Sequence, residues 1–151
     1  MSTRQLEQVA KWEQEKEDKL ARDYRLAQQN VQTNQQKLTG LQSYRLDYLR
    51  QLQQRANQSL GALSFAQHQA FIDKLDKACQ QQSQMLARAR AAAEQRKGIW
   101  LRQQQKRKAV EMLLEKKRQQ KQQLEDKREQ ALLDEVALQR FIRRTPRSGQ
   151  H

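Results

Sequence analysis

Two histidines and one cysteine are the side chains best suited to hold a metal or attack a substrate, and they lie at His68, Cys79 and His151. A metal site needs several such ligands at close spacing, and no HExxH or CxxC pattern supplies them. Nucleophilic catalysis needs a base beside the nucleophile, and the chain has no GxSxG turn and no Gly-rich phosphate loop. No catalytic residue, metal or cofactor is expected. What the chain offers instead is adhesion. Apolar side chains come in adjacent pairs at Phe71-Ile72, Ala78-Cys79 and Met85-Leu86, and a second apolar group holds Tyr44, Leu46, Tyr48 and Leu49. Leu41, Tyr44 and Tyr48 fall at helical spacing, and so do Phe71, Leu75 and Ala78. A two-stranded helical seam uses one member of each pair. The surplus is then a docking face for a partner, or a wide seam whose tyrosine hydroxyls reach water.

Charge is the second resource. Arg88, Arg90, Arg96, Lys97, Arg102, Lys106, Arg107 and Lys108 crowd one stretch, with Glu94 as the lone acid among them. Lys116, Lys117, Arg118 and Lys121 form a second cluster, and Arg140, Arg143, Arg144 and Arg147 a third. The formal net charge is +13, which favours an acidic partner surface without naming one. Single-strand binders interleave aromatic side chains with such charge, and zipper proteins place their basic segment ahead of one dimerising run. Neither pattern is present. A solvated face or an acidic protein partner accounts for the clusters better, and no stable nucleic-acid partner is expected.

The composition decides which elements carry these residues. Leu, Ile, Val and Phe number 29, about 19% of 151 residues, too few for a thick core. Ala, Glu, Lys, Leu and Arg contribute 75 and Gln another 30, all strong helix formers. One proline and four glycines leave little material for turns, so a pocket-bearing catalytic domain is excluded. The lone cysteine allows no internal disulfide. No run of apolar residues is long enough to span a membrane, and the first residues lack a secretory core.

A heptad accompanies the helix formers. Stepping by four and three from Leu6 to Leu52 meets apolar residues at ten of fourteen positions. The same stepping from Phe65 to Ile142 meets them at fourteen of twenty-three. That period marks a coiled coil, and it breaks at Ser59-Leu60-Gly61-Ala62-Leu63-Ser64. Gly61 suits a helix end, and Ser64 with Gln67 reads as a capping box. The expected fold is all-α: a long antiparallel two-helix coiled-coil hairpin, its second helix the longer. Residues 1–144 make a single domain, with a helix at about 4–58, a turn at about 59–64 and a helix at about 65–143. The tail 145–151 should be disordered. Folding about residue 62 brings Leu52 near Ile72, Leu38 near Leu86 and Tyr24 near Trp100. The second helix, roughly 118 Å against roughly 80 Å at 1.5 Å per residue, overhangs from about residue 119. The overhang carries Leu124, Ala131, Leu132, Leu133, Val136, Leu138, Phe141 and Ile142, a stripe that needs a cover.

The segments LTGLQSYRLDYLRQL, Leu38 to Leu52, and FIDKLDKACQQQ, Phe71 to Gln82, resemble the FliJ protein family of the bacterial flagellar type III export apparatus. The resemblance implies a non-catalytic stalk or coupling protein that supports export, flagellum assembly and motility. It implies that one end engages the export ATPase hexamer and the other the membrane-embedded export gate. Handling of export chaperones is implied as well. On this resemblance the gate-contacting residues are Leu41, Tyr44, Tyr48, Phe71, Leu75 and Ala78. Topology would assign Leu124, Leu132, Leu138, Ile142, Arg140 and Arg143 to the ATPase ring. A free monomer is expected, cytoplasmic and peripherally associated with the inner membrane through the apparatus. Two alternatives stand beside it: the equivalent stalk of a virulence-type secretion system, and a basic coiled-coil protein associated with nucleic acid or ribosomes.

Overall fold

The computed structural model describes residues 1–56 and 62–145, with side chains for 1–55 and 65–145. Two helices make up the described chain: α1, Thr3–Ala56, and α2, Ala62–Arg144, of 54 and 83 residues. Among the described residues there is no strand. Half of the expected turn, 59–61 with Gly61, lies outside the described residues, as does the tail from Pro146; 62–64 already belong to α2.

The helix starts differ from expectation in an instructive way. α2 already begins at Ala62, so Ser64 lies inside the helix, where a residue cannot act as its N-cap. The side chain of Ser64 is outside the described residues. A capping box does form at α1. The Ser2 amide donates to Gln5 Oε1 at 2.9 Å, and the Gln5 amide donates to Ser2 Oγ at 3.2 Å. Two of the amides that a helix start leaves open are thereby satisfied. At the other end of α2, Thr145 donates through both its amide and its hydroxyl to the Phe141 carbonyl.

The chain divides into two compact units. One comprises Glu15–Gln104; the other comprises Met1–Gln14 with the chain from Gln105 onward. In each, α1 and α2 pack against each other in opposite directions.

In the Glu15–Gln104 unit, the row from Glu17 to Leu52 lies wholly buried or half-buried. On α2, Leu75, Gln82, Leu86, Ala89 and Ala93 are buried against it. Tyr24 and Trp100 meet as expected, ring centroids 5.6 Å apart. Two expected seam positions fail. Phe65 is 66% exposed, because the α2 row first meets α1 at His68. Arg96 is also exposed. A straight helix drifts off a strict 3.5-residue row by about 20° per heptad, and a charged side chain at its edge turns to water. No described side chain is fully sequestered, so the seam is thin.

Polar groups cross this seam. Gln82 Nε2 donates to the Asn34 carbonyl at 3.0 Å and to Asn34 Oδ1 at 2.9 Å, both residues being buried. Asn34 Nδ2 donates in turn to the Asn30 carbonyl at 2.8 Å. Among the described residues no buried side-chain polar atom lacks a partner.

Gly40 and Gly98 sit within the helices, and a Cβ added at either would meet nothing within 4 Å. Glycine costs about 1 kcal/mol relative to alanine in a helix interior. Gly40→Ala and Gly98→Ala are each expected to raise stability by about that much, measured as a shift of the urea midpoint. Cys79 is half-buried on the α2 row facing α1. In a parallel dimer of continuous helices two copies would sit within bridging range. Oxidation at micromolar protein is therefore expected to leave a monomer on a non-reducing gel, and rapid trapping of a dimer would contradict the antiparallel pairing.

Candidate partner-binding surfaces

In the Glu15–Gln104 unit, the apolar pairs around Tyr44 and Phe71 divide between the two readings open at the sequence. Leu75 is only 7% exposed and belongs to the seam. Leu41, Tyr48, Phe71 and Ala78 are half-buried, whereas Tyr44 is 54% exposed. Phe71 gathers both tyrosines: its ring lies 4.7 Å from that of Tyr48 and meets the Tyr44 ring edge-on at 6.3 Å. An aromatic pair of this kind contributes about 0.5–1.5 kcal/mol beyond its buried area. The result is an aromatic ridge with its base in the seam and Tyr44 standing in water.

His68 completes the ridge. Its Nδ1 hydrogen-bonds the Tyr48 hydroxyl, and its ring lies 5.7 Å from the Tyr48 ring. Sequence reasoning placed His68 in the seam row and gave it no role. Its position three residues before Phe71, on the same helical face, was the available signal. Arg45 Nε pairs with Asp76 Oδ1 beside the ridge. Both side chains are more than a third exposed, so the pair contributes at most about 1 kcal/mol and mainly orients the charges.

The other unit presents a different surface. Leu6 and Leu114 are buried between the helices, and Arg118 Nη2 meets Glu7 Oε1 at 3.0 Å. From Arg118 to Arg144 every residue of α2 is exposed. Arg118 to Gln130 carries one apolar residue, Leu124; here (i, i+4) bonds such as Gln122 to Asp126 at 3.0 Å support the helix. Ala131 to Ile142 is the reverse. Leu132, Leu133, Val136, Leu138, Phe141 and Ile142 are all exposed, and they point round the helix rather than along one side. Such a helix is ordinarily enclosed. Arg140 and Arg143 are exposed among them.

The basic stretch makes no single face. Arg88 and Arg90 are both exposed, yet residues two apart on a helix point away from each other. Arg90 Nη2 is committed to Gln35 Oε1 across the seam at 2.9 Å. Further along, Arg107 pairs with Glu111 at 2.8 Å. Among the described residues, no group of three metal-ligating side chains comes together. No described helix is long and apolar enough to cross a membrane.

A model of the flagellar FliJ protein family matches residues 1–146. The chain belongs to that family. Membership identifies a protein associated with flagellar export, in a FliJ family that is non-enzymatic. Comparison with curated proteins and with solved structures returned no match. The FliJ match covers both surfaces, the aromatic ridge and the exposed end of α2.

Proposed function

We propose that the protein is the stalk and coupling component of the flagellar type III export apparatus. It engages the export ATPase hexamer through the Met1–Gln14 and Gln105-onward unit, and the membrane-embedded export gate through the aromatic ridge. The observation that carries the reading is the end of α2, where apolar side chains on every side of an exposed helix call for a partner that surrounds it. A ring of subunits does so. Leu124, Leu132, Leu138, Ile142, Arg140 and Arg143 are the contacts assigned to that ring. Leu41, Tyr44, Tyr48, Phe71 and Ala78 are assigned to the gate, with Leu75 supporting them from the seam. The protein works in the cytoplasm at the inner membrane and hands over export chaperones there. A virulence-type system would use the same surfaces, and gene neighbourhood separates the two.

The test is a nuclease-treated pull-down at moderate salt with purified ATPase and the gate's soluble domain. Retention of both supports the stalk. Loss of both, with duplex binding that falls steeply as salt rises, would favour the nucleic-acid reading instead.

A further inference from the structure

Where α1 begins, α2 does not stop. Beside Ser2 and Thr3, α2 presents Lys117, Lys121 and Leu124. A second groove joins this one at Lys117 and Gln120 and is walled by Met1, Leu6 and Leu113. The row of α2 that faces α1 through Val110, Leu114 and Lys117 continues at the same spacing through Lys121, Leu124 and Arg128, now exposed. The groove is thus the open continuation of the interhelical seam. Met1, Leu6, Leu113 and Leu124 give it apolar side chains, Arg4, Lys116, Lys117 and Lys121 line it as cations, and among the described residues no carboxylate does.

We infer that this groove docks an acidic amphipathic helix of a partner protein, lying end to end with α1 and covering the face of α2 that α1 leaves open. The seam spacing selects a helix, because heptad holes accept side chains that recur every three to four residues. Four cations in a lining that holds no carboxylate select an acidic one. A second copy of this chain is a poor occupant, since its own net charge is +13 and like charges across an interface repel. The inference concerns the unit assigned above to the ring and shares Leu124 with that assignment, but its support is the groove and its charge.

The probe is a labelled synthetic helix of about three heptads, with leucine at its inward positions and glutamate flanking them. A counterpart carries lysine in place of glutamate. Full-length protein should bind the glutamate helix and not the lysine helix, by fluorescence anisotropy. Lys117→Glu combined with Lys121→Glu should weaken the glutamate helix by about tenfold or more and admit the lysine helix, with helicity by circular dichroism unchanged. Absence of binding would overturn the inference. So would binding that survives the double variant, as attraction to the overall charge would. Sedimentation showing dimers that the glutamate helix fails to dissociate would assign the groove to a second copy, and that too would overturn it. No ATPase enters the experiment, so its failure leaves the ring assignment standing, and failure of the ring assignment leaves this one standing.

Discussion

Deleting residues 119–151 is expected to abolish the protein's stimulation of the export ATPase, while single substitutions at Leu138 or Arg140 leave most of it intact. A helix inside a ring is held by many weak contacts spread around it, so no one side chain dominates. The deletion removes all of Leu132, Leu133, Val136, Leu138, Phe141 and Ile142, which are exposed on every side of α2. It removes little internal packing, since the last residue of α2 that is even half-buried is Lys117. The truncated chain should therefore keep its thermal transition. The measurement is hydrolysis rate against ATPase concentration, because a protein that promotes ring assembly shifts the curve to lower concentration. No group from this chain is expected to act in phosphoryl transfer, which depends on positioning and charge within the nucleotide site. Equal stimulation by truncated and full-length chains would show that another surface engages the ring.

The second large effect belongs to the aromatic ridge. Tyr48→Ala or Phe71→Ala should cost about 2 kcal/mol or more of affinity for the gate, the range of an aromatic hot spot, or roughly thirtyfold in Kd. Phe71 holds both tyrosine rings, so its loss should release Tyr44 and Tyr48 together. His68→Ala should have a smaller effect of the same sign, since it frees the Tyr48 hydroxyl and removes one ring contact while Tyr44, Tyr48 and Phe71 all remain. Titration calorimetry with the soluble gate domain reads the affinity, and circular dichroism checks that the helices persist. Unchanged affinity with a lowered melting temperature would make the ridge a structural feature of the seam.

The legible part of this fold was its period. The α1 row from Leu6 to Leu52 could be drawn from sequence because heptad spacing ties position directly to burial. It includes Glu17 and Asn34, polar residues that composition alone would put in water, yet both are buried. The helix starts were harder to read. Ser2-Thr3-Arg4-Gln5 and Ser64-Phe65-Ala66-Gln67 share one pattern, and only the first lies at a helix end. A capping box describes what a helix start can do, and local sequence does not say where the start falls. At the candidate site, the apolar pairs pointed to the segments in which the rings of Tyr44, Tyr48 and Phe71 meet. The pairs alone do not separate Leu75, which turns inward, from Tyr44, which stays out; the heptad rows do, since Leu75 falls on the α2 row and Tyr44 lies off the α1 row. Local spacing puts His68 on the face of Phe71, but its bond to Tyr48 depends on the opposing helix and could not be read from either segment alone.

The buried bridge between Gln82 and Asn34 bears on how such a pair of helices can move. A heptad seam repeats itself, so two helices with only leucine and alanine between them could slide past one another by a repeat and find nearly the same packing. Here a slide would strip Gln82 Nε2 of both its acceptors on Asn34. Leaving such a group buried and unpaired costs about 1–3 kcal/mol. A single polar residue at a seam position is a known means of setting register. Within the Glu15–Gln104 unit, then, a push or a twist applied to one helix is carried by its neighbour at once and is not spent in slippage. The unit behaves as a splined joint.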